Sequence, residues 1–278
     1  MKRGAATRGK VAKLVSGAEA IEIKATIPQK QIRRALALYG LKIDPKEARL
    51  IYFFDTPDLA LLKTGIVARA RRVVGDEHDS TIKFRPVVPD KVGDRWRKYS
   101  GFKIEADASE KGVTLSASLT MPVEKGLIKR VAGGDKPIAT LFTEEQQLFL
   151  LGMASRKIDY SKAVVLGPLL ANRWKFEDPA CPWPITAELW KREDGATLLE
   201  ASIKAPVVQA AAATAGFMAF LAEVGAEQDT GQQAKTRWAL DYYARKAKTA
   251  RAPRTKTGKP AKPRRAAAPK AARPGKRT

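Results

Sequence analysis

Ile21-Glu22-Ile23-Lys24-Ala25-Thr26-Ile27 alternates apolar and polar residues without a break, so a strand here places Glu22, Lys24 and Thr26 on one face and four apolar side chains on the other. The alternation returns along the chain with charge at every second position. Val67 to Val73 carries Arg69 and Arg71, Thr81 to Pro86 carries Lys83 and Arg85, and Phe102 to Ala106 carries Lys103 and Glu105. Asn172 to Phe176 adds Arg173 and Lys175, and Leu199 to Ala205 adds Glu200, Ser202 and Lys204. Strands with one apolar and one charged face suit a closed barrel with a wet lumen and an outside packed under helices. Cations dominate the polar face. Converging in a tunnel they repel one another, and an anionic ligand is what would offset that repulsion.

Charge is unevenly distributed. The formal net charge is +23, but residues 1–18 and 246–278 hold 18 Lys and Arg and no acid, leaving +5 for residues 19–245. The two ends have compositions that cannot bury a core and are expected to be disordered. A single cysteine, Cys181, excludes an internal disulfide and a cysteine-rich zinc site and fits a reducing compartment. No apolar run reaches membrane-spanning length, and the basic N-terminal stretch lacks the apolar segment of a secretory signal, so the expected location is the cytoplasm.

Between the strands, Pro28 to Gly40 predicts an amphipathic helix, Leu50 to Asp55 a strand, and Asp55-Thr56-Pro57-Asp58 a turn. The acidic segment Gly75 to Asp79 is expected to be a hairpin turn, with His78 in it, and Val87 to Trp96 a loop. Lys98 to Asp107 predicts a strand and Val123 to Val131 a short helix. Thr143-Glu144-Glu145-Gln146 has the form of a capping box opening a helix through Leu150. Ile158–Leu166, Leu170–Glu177, Ile185–Lys191 and Thr197–Lys204 predict four strands, the last two joined by a tight turn at Glu193-Asp194-Gly195. Val207–Val224 and Gln232–Lys246 predict helices, with Trp238 and Tyr242 packing against the outside of the sheet.

Glu22 and Lys24, the stretch Tyr52-Phe53-Phe54-Asp55-Thr56-Pro57-Asp58-Leu59-Ala60-Leu61-Leu62, the Arg69/Arg71 pair and Glu200-Ala201-Ser202-Ile203-Lys204 together resemble the CYTH domain, or triphosphate tunnel metalloenzymes, over about residues 19–245. The resemblance implies an α+β fold whose eight-stranded antiparallel tunnel has helices outside and holds a triphosphate. It places phosphate contact on Lys24, Arg69, Arg71, Lys83, Arg85, Lys103, Arg173 and Lys204, with Lys24, Arg69 and Arg71 as the catalytic cations. Glu22, Glu105, Glu188 and Glu200 would hold Mg²⁺ or Mn²⁺, which binds through one or two carboxylates plus substrate oxygens. The family's ExExK motif falls on Ala20, Glu22 and Lys24, so its first glutamate is missing, and Glu19 is on the opposite face unless a bulge intervenes. Ser202 replaces a second late acid.

The implied activity is metal-dependent hydrolysis of inorganic triphosphate or a nucleoside or organic triphosphate. The alternatives are a non-catalytic polyphosphate- or nucleotide-binding module and a class IV adenylate cyclase-like enzyme. The basic tail offers a further reading, docking on nucleic acid or another polyanion. His78 and Cys181 lack the partners that histidine- or cysteine-based catalysis needs, and no glycine-rich phosphate loop is present.

Overall fold

The computed structural model describes residues 17–18, 20–44, 48–73, 75, 78–109, 112–154, 159–226 and 234–251. Its strands are β1 (Ala20–Ile27), β2 (Arg49–Asp55), β3 (Ile66–Arg72), β4 (His78–Phe84), β5 (Phe102–Ser109), β6 (Gly112–Val123), β7 (Val164–Asp178), β8 (Cys181–Lys191) and β9 (Thr197–Pro206). They close into one barrel in the order β1-β5-β6-β4-β3-β2-β7-β8-β9. The α+β barrel is as expected, but its strands among the described residues number nine rather than eight. A closed ring with an odd number of strands cannot alternate direction all the way round. The mismatch falls at β1 and β5, which run parallel, while β1 and β9 run antiparallel.

Six helices accompany the barrel among the described residues: α1 (Ile32–Leu38), α2 (Ala60–Lys63), α3 (Leu127–Ala132), α4 (Glu144–Ala154), α5 (Ala210–Glu223) and α6 (Lys235–Arg251). Ala213, Phe217, Phe220 and Leu221 of α5 bury the apolar faces of β1, β8 and β9. On the other side, α3 and α4 cover Phe54, Ala68, Ile82, Ile104 and Leu119. The expected capping box forms: the Thr143 amide donates to Gln146 Oε1, and the Gln146 amide to Thr143 Oγ1. Gln146 is fully buried and its Nε2 donates to the carbonyls of Ser80 and Leu119, which fixes α4 on β4 and β6.

Several expectations are corrected. The segment from Ala108 to Pro137 contains a twelve-residue strand, β6, before the short helix α3. His78 and Asp79 belong to β4 rather than to the preceding turn, and residues 74, 76 and 77 lie outside the described residues. Of the two strands expected over Ile158–Leu166 and Leu170–Glu177, Ile158 lies outside the described residues, Tyr160–Lys162 is a 3-10 turn, and from Val164 on the two are one strand, β7, because Gly167-Pro168 forms an irregularity against β2 instead of a break. Gly167 has φ +148°, and a Cβ there would lie 2.8 Å from the Ile51 carbonyl oxygen.

The largest correction concerns α6. Its Ala239, Leu240, Tyr243 and Ala244 pack with Ile51, Phe53 and Trp190. Ile51 and Phe53 are the register partners of Arg71 and Arg69, and Trp190 is two residues from Glu188, so all three sit on the charged inner face. The helix therefore closes one end of the lumen and does not lie outside the sheet. It also runs to Arg251, beyond the tail boundary expected at residue 246. Residues 1–16 and 252–278, and Glu19, lie outside the described residues.

Candidate anion-binding tunnel

Register fixes which side chains share the lumen. Around the ring, Glu22 faces Asp107 on β5 and Lys204 on β9, Lys24 faces Ser202, and Thr26 faces Glu200. Arg69 and Arg71 face Thr81 and Asp79, Val67 faces Lys83, and Arg173 faces Glu188, which faces Glu200. Along β9 the order from the end closed by α6 is Glu200, Ser202 and Lys204, so Lys204 marks the open end.

Near the middle, Lys24 Nζ lies 2.9 Å from Glu22 Oε2 and 2.7 Å from Asp107 Oδ1. Asp107 is buried and also meets Lys83 at 3.3 Å and Arg85 at 3.8 Å, with Ser116 Oγ donating to it. Burial pushes the Asp107 carboxyl up, but Lys24, Lys83 and Arg85 together hold it well below the usual carboxylate range. Glu22 is likewise lowered: burial raises it, and Lys24 and Lys204 more than offset that. Lys24 is raised, because Glu22, Asp107 and Glu200 outweigh its desolvation. Lys83 is lowered by burial and by Lys24, despite Asp107. Gly65 contributes to this geometry, since the Arg85 amide donates to its carbonyl and a Cβ on it would meet the Arg85 carbonyl oxygen at 2.2 Å.

Deeper on the opposite wall, Arg71 makes a two-pronged pair with Asp79, Nε at 3.0 Å from both oxygens and Nη2 at 2.8 Å from one. Arg69 has no carboxylate within ion-pair distance among the described residues. Its Nη2 reaches Thr81 Oγ1 at a long 3.5 Å, and its buried Nε has no partner. Burial and the neighbouring Arg71 push the Arg69 guanidinium down to about 10, against the pull of Asp79 and Glu188.

At the closed end, Lys235 of α6 inserts its ammonium between Glu188, which it contacts, and Glu200 at 2.8 Å, with Trp190 4.7 Å below it. Burial raises Glu188, but Lys235, by charge and hydrogen bond, with Arg173 and Arg69, brings it down to about 2. Lys235 is raised, as Glu188 and Glu200 outweigh burial.

The structure therefore brings together Glu22, Lys24, Lys83 and Arg85 in one cluster, Arg69 and Arg71 in a second, and Glu188 and Glu200 in a third. Glu105 is paired with Lys204 at 2.5 Å near the open end, and Lys103 and Arg173 are exposed. Asp107, Asp79 and Lys235 were not singled out from the sequence. Asp107 continues the alternation of Lys103 and Glu105, which was the available signal, whereas nothing local marks Lys235.

The four carboxylates assigned to a metal do not converge. Among the described residues no group of three acidic, histidine or cysteine side chains is placed to hold one. Glu105 is taken by Lys204, Glu22 shares Lys24 with Asp107, and Glu188 and Glu200 enclose an ammonium. As folded, this donor set does not fit Mg²⁺ or Mn²⁺.

No protein-family model matches the chain, and no curated protein matches it significantly. Solved structures do. A Bacillus halodurans protein provisionally assigned as an adenylate cyclase matches with a TM-score of 0.54 and 15% identity, covering 80% of this chain and 97% of its own. A Hippeastrum protein provisionally assigned as an adenylyl cyclase, and described as having a dominant triphosphatase activity, matches with a TM-score of 0.56 and 15% identity, covering 80% and 95%. The shared feature is the fold. No helix among the described residues is long and apolar enough to cross a membrane.

Proposed function

We propose that the chain holds a triphosphate in the lumen of its barrel and acts on it by phosphoanhydride hydrolysis. Arg69 carries this reading. A buried guanidinium with an unpartnered Nε, beside a second guanidinium and without a carboxylate of its own, is costly unless an anion completes it. The planar donor fork suits phosphate oxygens. Lys83 on β4 and Arg85 just after it extend the same wall, and Lys24 faces the lumen from β1 across the barrel, so a chain of phosphates between the walls meets cations on both sides. Their role is to bind and align it and to spread the charge that grows on the phosphoryl oxygens as the bond breaks. The fold neighbour described as a triphosphatase supports this choice of reaction, and the cyclase assignments of both neighbours make cyclisation the outcome to separate.

A second reading, a triphosphate binder without turnover, is favoured by the ammonium of Lys235 on Glu188 and Glu200. Calorimetric binding of inorganic triphosphate and release of phosphate from triphosphate and ATP, with cyclic AMP measured in parallel, distinguish these readings. Binding with phosphate release supports hydrolysis, binding alone the second reading, and cyclic AMP the cyclase. Arg69→Ala and Arg71→Ala should each lose binding, and affinity unchanged in both overturns the tunnel reading.

A further inference from the structure

We infer that Lys235 is a built-in cation that takes the place of a divalent metal on Glu188 and Glu200, so the chain's own helix supplies the positive charge that bridges this carboxylate pair and ligand binding in the lumen needs no metal there. The inference rests on the tunnel reading only for the ligand. The occupancy of the carboxylate pair stands on contacts within the chain.

Three observations converge on it. The ammonium contacts Glu188 and lies 2.8 Å from Glu200, and these two residues are register partners on β8 and β9, aimed into one space. Its remaining side rests over the Trp190 ring at 4.7 Å, so the cation is enclosed by two carboxylates and an aromatic face. The backbone that carries it is held independently of the ion pair: Ala239, Leu240, Tyr243 and Ala244 are buried against the inner wall. Tyr243 Oη donates to the Pro168 carbonyl at 2.6 Å, and Arg192 is sandwiched between Trp238 and Tyr242 at 4.5 and 4.3 Å. The ammonium is thus delivered to its place by a packed helix.

A divalent cation between two carboxylates needs their oxygens for itself, together with water or substrate oxygens. To enter here it must displace an ammonium that hydrogen-bonds to both carboxylates and belongs to a side chain only 15% exposed. Removing the ammonium while keeping its volume should turn the same pair into a metal site.

The test titrates full-length protein with Mn²⁺ alone, read by electron paramagnetic resonance of the free ion, and separately with inorganic triphosphate by calorimetry with and without EDTA. Wild type should show no Mn²⁺ affinity that depends on this pair, so Glu200→Gln leaves its Mn²⁺ titration unchanged. Lys235→Met should bind Mn²⁺ at least tenfold more tightly than wild type, the gain should vanish in Lys235→Met/Glu188→Gln, and Lys235→Arg should show none. Wild-type affinity for triphosphate should change less than twofold in EDTA. A tenfold loss of Mn²⁺ affinity in Glu200→Gln, or no gain in a folded Lys235→Met, overturns the inference. The Glu200→Gln comparison decides the matter even where Lys235→Met does not fold. Failure of wild type to bind triphosphate would refute the tunnel reading and leave the Mn²⁺ result to judge Lys235.

Discussion

Acid should weaken the closed end of the barrel, and Glu188→Gln isolates how much. The folded Glu188 carboxyl titrates at about 2, against an ordinary 4.5, because Lys235, Arg173 and Arg69 more than offset its burial. A carboxyl lowered by folding contributes its stability in full above the unfolded value and loses it as pH falls through the folded one. At about 1.4 kcal/mol per pH unit, this group contributes on the order of 3 kcal/mol at neutral pH, lost progressively between pH 5 and 2. The side chain is 18% exposed, so screening by solvent removes little of that. Glutamine cannot titrate. The stability advantage of wild type over Glu188→Gln should therefore shrink by about 3 kcal/mol between pH 6 and pH 2. Urea denaturation followed by tryptophan fluorescence gives the two midpoints at each pH, with Trp190 beneath the Lys235 ammonium. Asp107 and Glu22, also lowered, act in both proteins and drop out of the difference. A constant offset across the pH range would refute the argument, because it would mean that Glu188 is not held ionised by Lys235.

Arg69→Met should weaken triphosphate binding at least tenfold while leaving the thermal midpoint unchanged or higher, since it removes a cation whose buried Nε is unpartnered and which has no carboxylate within ion-pair distance among the described residues; a fall in the midpoint would show that Arg69 serves the fold. Asp107→Asn should have the opposite character: Lys24, Lys83 and Arg85 lose their shared anion, costing about 3–5 kcal/mol in urea denaturation. Saturating triphosphate should restore part of that, and an unchanged midpoint would contradict the network. For the basic tail, truncation after Arg251, which keeps α6 whole, should lower affinity for duplex DNA and flatten its salt dependence without changing triphosphate binding. DNA affinity equal to that of the full chain would remove the polyanion role.

The alternation along β1, β3, β4 and β9 was legible because charge and apolar residues contrast sharply at every second position. The strand β6 was not. Its inner residues are Thr114, Ser116, Ser118 and Thr120, small hydroxyl side chains that give little contrast with Ala117 on the other face. Without β6 the ring's parity cannot be worked out, so the parallel β1–β5 pair stayed hidden, and with it Asp107, which reaches Glu22 only through that pairing. The sequence also marks α6 as amphipathic without saying which face of the sheet receives it. An apolar stripe of Ala239, Leu240, Tyr243 and Ala244 fits an outer wall as well as it fits Ile51, Phe53 and Trp190. What selects the inner wall is chemical. Glu188 and Glu200 project into a closed lumen where two adjacent carboxylates need a cation, and the first residue of α6 is a lysine whose ammonium lies over the Trp190 ring. An outer position for the helix would leave both carboxylates without that cation. The helix that closes the tunnel and the cation that bridges its acids are therefore one solution to one electrostatic requirement.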